Sequence, residues 1–268
     1  MSTERLYHQR VADEPVAVRV AATAGDAVAL DRSPFYPGGG GQPPDHGWLT
    51  DADGAQHSVT DVWADESGLV WHRVAGPLPQ PGQLGTVLTA RIDVLRRAAL
   101  SRQHTVLHVL NTVAMRRFDA WITGCQIGAE FSRIDFKLER LTPELMAELE
   151  AGVNAVLAAD HPVQAELMAE DEFRSRPDLL RTLDVRPPVD GGRVRVVRIE
   201  GFDAQACGGT HVAHVREIGA LRIVRSENKG RNNKRLYVRL EQPAAPAMLP
   251  DPCAAQSPPA TSRTSAAP

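Results

Sequence analysis

The chain has 268 residues, 43% of them hydrophobic and 24% charged, with a formal net charge of -3. That is ample for one or two cores, and it leaves no overall attraction to nucleic acid, so any such binding must use local patches. No apolar run approaches the roughly 18 residues a membrane helix needs, the segment Met1 to Arg10 lacks an apolar secretory core, and three cysteines cannot build a disulfide framework, which together point to a reducing cytoplasm and no membrane association.

From Val16 to about Leu88, short apolar runs (Val16 to Val20, Val28 to Leu30, Val59 to Val62, Leu69 to Val74, Gly85 to Ala90) alternate with Gly, Pro and Asp turns. This predicts a small antiparallel β-barrel or meander. Inside it, Pro37 to Pro44 holds four consecutive glycines. Such a stretch cannot be a strand interior; it is either a flexible turn or a loop whose bare backbone comes close to a ligand or an RNA end.

Around Arg91 to Asp93 the apolar period changes from two to about 3.6, and Asp93 can cap a helix running to near Phe118. Thr142-Pro143-Glu144-Leu145 supplies a cap, a proline at the first helical position and an acid in the first turn, so a second helix is predicted to Ala158. Strands are predicted at Val163 to Leu167, Val194 to Ile199, Ala220 to Ser226 and Arg235 to Leu240, with a helical segment at Pro177 to Thr182. Mixed strands and long helices make this half α+β. From Pro243 to Pro268 the chain is Pro, Ala, Ser and Thr with few large apolar residues, a composition that cannot offset its ordering entropy and predicts disorder. Cys253 lies there and is incidental. There is no internal repeat. The expected division is a barrel at 1–92, an α+β unit at 93–241 and a tail at 242–268.

Two separated pairs of zinc-type ligands stand out. His104 and His108 are spaced i, i+4 in the predicted helix, which puts both imidazoles on one face a turn apart. Cys207 and His211 flank Gly208-Gly209-Thr210, where two glycines let a thiolate and an imidazole turn toward one cation. Neither pair decides alone: nine histidines make an i, i+4 pair by chance about once in three chains of this length. Together they make a Cys/His₃ set of the types zinc prefers. Thr105 follows His104 where a metalloprotease helix would carry glutamate, which argues against that class. A complete tetrahedron of protein ligands is also what a purely structural zinc has.

The resemblance begins at Phe35-Tyr36-Pro37-Gly38-Gly39-Gly40-Gly41-Gln42 with Asp45 and Gly47. It passes through Arg97, the His104/His108 helix, Arg133-Ile134-Asp135-Phe136 and Val194-Arg195-Val196-Val197. It ends with Cys207-Gly208-Gly209-Thr210-His211-Val212, Ile218-Gly219 and Glu227-Asn228-Lys229-Gly230. In this order the chain, from about 35 to 240, resembles the editing domain of alanyl-tRNA synthetases and, more closely, the free-standing AlaX trans-editing proteins. It departs from that pattern at Leu107, where threonine is common before the second helix histidine, and at Gly38.

The resemblance implies a small antiparallel β-barrel followed by an α+β editing domain of the type common to threonyl- and alanyl-tRNA synthetases. The implied activity is zinc-dependent hydrolysis of mischarged tRNA(Ala), chiefly the seryl form, with the glycyl form as a second substrate. Zinc would be held by His104, His108, Cys207 and His211. Gln42 and Thr105 are placed near the serine hydroxyl or the ester, with Thr210 and the Gly39, Gly40 and Gly41 loop beside them. Arg91, Arg96, Arg97 and Arg102 form one basic patch and Lys229, Arg231, Lys234 and Arg235 a second, which either contact tRNA phosphates or are simply solvated faces; Arg97, Arg102, Lys229, Arg231, Lys234 and Arg235 are the residues assigned to tRNA. The partner is the tRNA acceptor end; no obligate protein partner is evident. A threonyl-type editing substrate and a non-catalytic tRNA-binding module with a structural zinc are the competing readings. No ATP-binding or activation domain is present, which excludes a complete synthetase.

Overall fold

The computed structural model describes residues 2–8, 14–76, 84–181, 187 and 189–241. The Pro243 to Pro268 tail with Cys253, and Thr182 at the end of the expected short helix, lie outside the described residues.

A two-residue strand β1 (Glu4–Arg5) and a 3-10 turn (Leu6–His8) open the chain. Strand β2 (Val16–Ala24) turns at Gly25, φ 57°, into β3 (Ala27–Leu30), and β4 (Arg32–Ser33) pairs in parallel with β1. β5 (Gly47–Thr50), β6 (Gln56–Ala64), β7 (Val70–Val74) and β8 (Val87–Ile92) follow. They close a barrel in the order β2-β3-β7-β6-β5-β8. Strict alternation drives the closure: along β8, Leu88, Ala90 and Ile92 are buried while Val87, Thr89 and Arg91 are exposed, and the inward set packs with Val18, Leu30, Phe35, Leu49 and Val62.

Asp93 then caps α1 (Val94–Phe118), its carboxylate accepting from Arg96 N at 3.0 Å. Asp119, in the left-handed region at φ 50°, ends it. From Leu100 to Ala114 nearly every α1 residue is buried, including the polar Ser101, Gln103, His104, Thr105, His108, Asn111 and Thr112. Polar groups buried on this scale require internal hydrogen bonds, and that requirement locates the site.

β9 (Trp121–Gln126) and β10 (Phe131–Lys137) form a hairpin before α2 (Pro143–Ala158), which Thr142 caps through Leu145 N. β11 (Val163–Ala169), the short α3 (Glu170–Arg174), β12 (Val189–Asp190), β13 (Arg193–Ile199) and β14 (Asp203–Ala206) come next. β15 (Ala220–Asn228) and β16 (Asn233–Glu241) complete the chain described. Two antiparallel sheets result, β15-β16-β10-β9 and β11-β13-β12 with β14 on β13. Ile134, Phe136, Leu236 and Val238 share a core with Leu110 and Val113 of α1 and Leu149 and Val153 of α2. This α+β architecture behind a closed barrel matches the expected fold class. Hairpin β9–β10 and strand β14 were not among the expected strands, and the described part of the Pro177 segment is a single 3-10 turn, Pro177–Leu179.

Arg97 joins barrel to helix. Its Nε donates to both oxygens of Asp45 (3.0 and 2.9 Å) and its Nη2 donates to Pro34 O (2.8 Å), while the fully buried Asp45 also accepts from Tyr36 N at 2.7 Å. Arg97→Met leaves that carboxylate buried without its cation and is expected to destabilise the protein by about 3–5 kcal/mol. Urea unfolding measures this; an unchanged midpoint would mean that Asp45 does not depend on Arg97.

Candidate metal centre and cavity

β14 delivers Cys207 into a glycine turn that Arg195 of β13 braces, its Nη1 donating to Cys207 O at 2.8 Å and Gly209 O at 2.9 Å. α1 supplies His104 and His108 from the opposite side. The ligand atoms of His104, His108, Cys207 and His211 all lie within 4.8 Å of one another. Cys207 Sγ is 3.4 Å from both His104 Nε2 and His211 Nε2.

Behind these atoms a network of hydrogen bonds running from His104 to His211 fixes the tautomers. His104 Nδ1 is 2.8 Å from Gln42 Oε1; an amide oxygen only accepts, so Nδ1 carries the proton and Nε2 keeps its lone pair forward. The same oxygen accepts from Thr210 N (3.1 Å), and Gln42 Nε2 donates to Thr210 Oγ1 (2.9 Å), which is 2.8 Å from Ser101 Oγ. Thr105 donates its hydroxyl proton to Ser101 O (2.8 Å), so its oxygen accepts from His211 Nδ1 (3.1 Å) and Val212 N (3.2 Å). His211 Nε2 is thereby left free as well.

Burial holds the His104 and His211 imidazoles well below their ordinary range, and a proton on one ring would further repel a proton on the next. His108 is pushed down to about 3, by burial first and then by the charges of Arg181 and Arg195. All three rings are therefore neutral near pH 7, the form that binds metal. Burial raises the Cys207 thiol, opposed by the Gly209 N–H and the Arg195 charge. His108 Nδ1 is buried without a hydrogen-bond partner among the described residues. Three neutral imidazoles, a thiol and an orphaned buried nitrogen fit a zinc ion.

A cavity of about 640 Å³ opens on the cluster. Its walls include Leu107 and Asn111 of α1, Ile122 and Cys125 of β9, Gly38 to Gly40 of the barrel loop, His8, Arg195 and Gln205. Of the residues expected to face substrate, Gly39 and Gly40 line this cavity, whereas Gly41, Gln42, Thr105 and Thr210 do not. Gln42 and Thr105 are 2% and 0% exposed and sit behind the imidazoles. Gly41 packs on Cys125, whose Sγ would lie 2.7 Å from a Cβ at that position.

The six expected tRNA-contacting cations also divide. Arg97 is held by Asp45, Arg102 donates to Ile218 O (3.1 and 2.7 Å), Lys234 donates to Gly230 O and Arg231 O (2.8 and 3.0 Å), and Arg235 is bidentate on Asp135 (2.7 and 2.8 Å). These four hold the fold together. Lys229 and Arg231 are exposed on the β15–β16 turn. Arg195, Asn111, Gln205 and Cys125 are site residues that the sequence reading did not single out. For Arg195 there was a signal: it is the charged residue between Val194 and Val196, both buried in the sheet.

Over residues 194–237 the chain matches the family model described as the threonyl and alanyl tRNA synthetase second additional domain. A barrel followed by a His/Cys cluster, of which Cys207 and His211 lie within the matched residues, defines the class, the editing modules of these synthetases. Along most of its length the chain is 38% identical over 215 residues to the alanyl-tRNA editing protein AlaX-M of Methanosarcina barkeri, covering 80% of this chain and 88% of that one. It is 34% identical over 237 residues to AlaX-M of Saccharolobus solfataricus, covering 88% and 98%. It also matches the alanine-tRNA ligase of Methanothrix thermoacetophila at 36% over 228 residues, 84% of this chain but 24% of the ligase. The chain belongs to the AlaX-M family of alanyl-tRNA editing proteins.

Proposed function

We propose that this protein is a trans-acting aminoacyl-tRNA deacylase that hydrolyses mischarged tRNA(Ala), chiefly the seryl form, at a zinc site formed by His104, His108, Cys207 and His211. The observation that carries the reading is that the four ligand atoms converge within 4.8 Å at the wall of a cavity large enough for an aminoacylated adenosine. A merely structural zinc has no need of an open cavity beside it.

Zinc held there would supply a Lewis acid toward the ester and its attacking water. Gln42 and Thr105 keep His104 and His211 in the metal-binding tautomer. Leu107 and Ile122 give the cavity an apolar wall that limits water to the reacting ester. Arg195, a positive charge on the cavity wall, favours the negative charge that develops on the carbonyl oxygen as water adds to the ester carbon, before that charge collapses to expel the ribose oxygen. An aminoacyl ester is already activated, so orientation and a positioned water are a sufficient catalytic task.

Serine and alanine differ by one hydroxyl, and a site that hydrogen-bonds that group rejects the analogue lacking it far better than an apolar pocket rejects an extra atom. Asn111, one turn beyond Leu107 and on the cavity wall, is the side chain assigned to that hydroxyl. Asn111→Ala is expected to lower the seryl-to-alanyl rate ratio by about tenfold or more, measured on matched seryl- and alanyl-tRNA(Ala) with zinc content unchanged. Equal slowing of both substrates would remove Asn111 from selection.

Lys229 and Arg231 are assigned to tRNA phosphates. Converting both to glutamine is expected to weaken tRNA binding and reduce its logarithmic salt slope by up to about 2; an unchanged slope returns them to a solvated turn. The activity itself is tested with zinc-loaded protein on seryl-, glycyl-, alanyl- and threonyl-tRNA. Fastest release from seryl-tRNA(Ala) is expected. Faster release from threonyl-tRNA would select the threonyl-type alternative, and no release from any would reduce the protein to a binding module.

A further inference from the structure

The sheet β15-β16-β10-β9 turns Ile134, Phe136, Leu236 and Val238 into the core and leaves its other face open. Strand register sets what that face carries. Arg225, Tyr237, Arg133 and Gln126 are successive cross-strand partners, and in the adjacent row Arg239 pairs with Phe131. The Arg225 guanidinium lies 4.4 Å from the centre of the Tyr237 ring, and the Phe131 and Tyr237 rings are 6.3 Å apart. Phe131 is 50% exposed.

A solvated antiparallel face carries alternating polar side chains and needs no aromatic pair. Here Phe131, Tyr237, Arg133 and Gln126 line a hollow of about 440 Å³ against the β9–β10 turn. Charge favours an anion: Arg225 is neutralised by Glu227 and Arg235 by Asp135, whereas Arg133 and, beside it, Arg239 have no ion-pair partner among the described residues and together outnumber Glu130, the acid that also lines the hollow. Aromatic rings interleaved with guanidinium planes on an open sheet are the chemistry that stacks bases and holds phosphates of unpaired nucleotides.

Position adds the second argument. β9 is the edge strand of this sheet. Its inner side presents Ile122 and Cys125 to the metal-site cavity, and the next residue, Gln126, belongs to the hollow on the outer side. Consecutive strand residues point to opposite faces, so a chain leaving the cavity reaches the hollow by crossing one strand.

We propose that this hollow is a nucleotide subsite for the substrate RNA, stacking a base on Phe131 and Tyr237 and taking a phosphate on Arg133 and Arg239, while the aminoacylated end occupies the cavity. The assignment rests on the deacylase reading for its choice of RNA. The test compares the full chain with a Phe131→Ser, Arg133→Gln double variant, both on the surface and away from the core. Affinity for uncharged tRNA(Ala) is expected to fall about tenfold with a shallower salt slope, without loss of zinc. The KM for seryl-tRNA(Ala) should rise by the same factor at unchanged kcat, and hydrolysis of the minimal ester 3′-O-seryl-adenosine, too short to span both sites, should not change. Unchanged affinity for uncharged tRNA overturns the subsite whether or not the protein is a deacylase. So does conversion of a wild-type dimer to monomers by the double variant with tRNA affinity intact, which would make the face an interface between copies. Failure of the wild type to hydrolyse either ester sinks the deacylase reading alone, and the affinity measurement still decides the subsite.

Discussion

Replacing His104 with alanine is expected to take bound zinc from about one per chain to near none and to lower hydrolysis of seryl-tRNA(Ala) by at least about 100-fold. His104 is the ligand on which most of the site converges. Its Nε2 faces Cys207 at 3.4 Å, its Nδ1 is held by Gln42 at 2.8 Å, and its ring is in contact with the rings of both other histidines. Metal analysis and a thermal scan on the same samples separate the readings. Loss of metal and hydrolysis with the melting transition retained supports a catalytic centre; collapse of the α+β unit together with metal loss makes the zinc structural. Full metal occupancy in the variant would disprove the ligand assignment. Gln42→Ala is the graded companion. Without its tautomer lock, zinc should bind about 10–100 times more weakly, an outcome that a residue reading the serine hydroxyl would not produce.

Gly209→Ala is expected to be nearly as damaging although it removes nothing. A Cβ on Gly209 would lie 2.2 Å from His104 Cε1, 2.4 Å from His104 Nδ1 and 2.9 Å from Gln42 Oε1. Neither neighbour can yield cheaply, since the ring is buried on α1 and the amide oxygen already accepts two hydrogen bonds. His104 must therefore leave its position, and zinc affinity should fall by about the 10–100-fold of a lost orienting contact or more. Zinc titration measures it, with the barrel's unfolding midpoint as the control. Wild-type affinity in Gly209→Ala would show that His104 is not packed against this turn.

The long helices were legible because their ends carry local chemistry: Asp93 before α1, and Thr142 with Pro143 before α2, act within one turn of themselves. The barrel was legible for a similar reason, since alternation along one strand already states which side faces inward. Strand β14, Asp-Ala-Gln-Ala, has no such alternation of bulk, and β9 is interrupted by Gly124 and a register shift. The convergence of the metal ligands could be anticipated from residue type. The direction in which Gln42 and Thr105 point could not, because it depends on partners 62 and 106 positions away. The basic residues show the same limit. Arg97, Arg102 and Arg235 find Asp45, Ile218 O and Asp135 at separations of 52, 116 and 100 residues, so a run of cations in sequence does not reveal which are already engaged.

The network of hydrogen bonds behind the histidines bears on how such a site can change over generations. Gln42, Thr105 and Thr210 each bond two or more partners through their side chains, so a substitution at any of the three strands groups at two others, and single steps there are penalised together rather than separately. Leu107, Ile122 and Cys125 face the cavity and lie outside that network. New amino-acid preferences can therefore be sampled one residue at a time on the cavity wall, while the His/Cys frame stays locked, and divergence among relatives should concentrate on that wall.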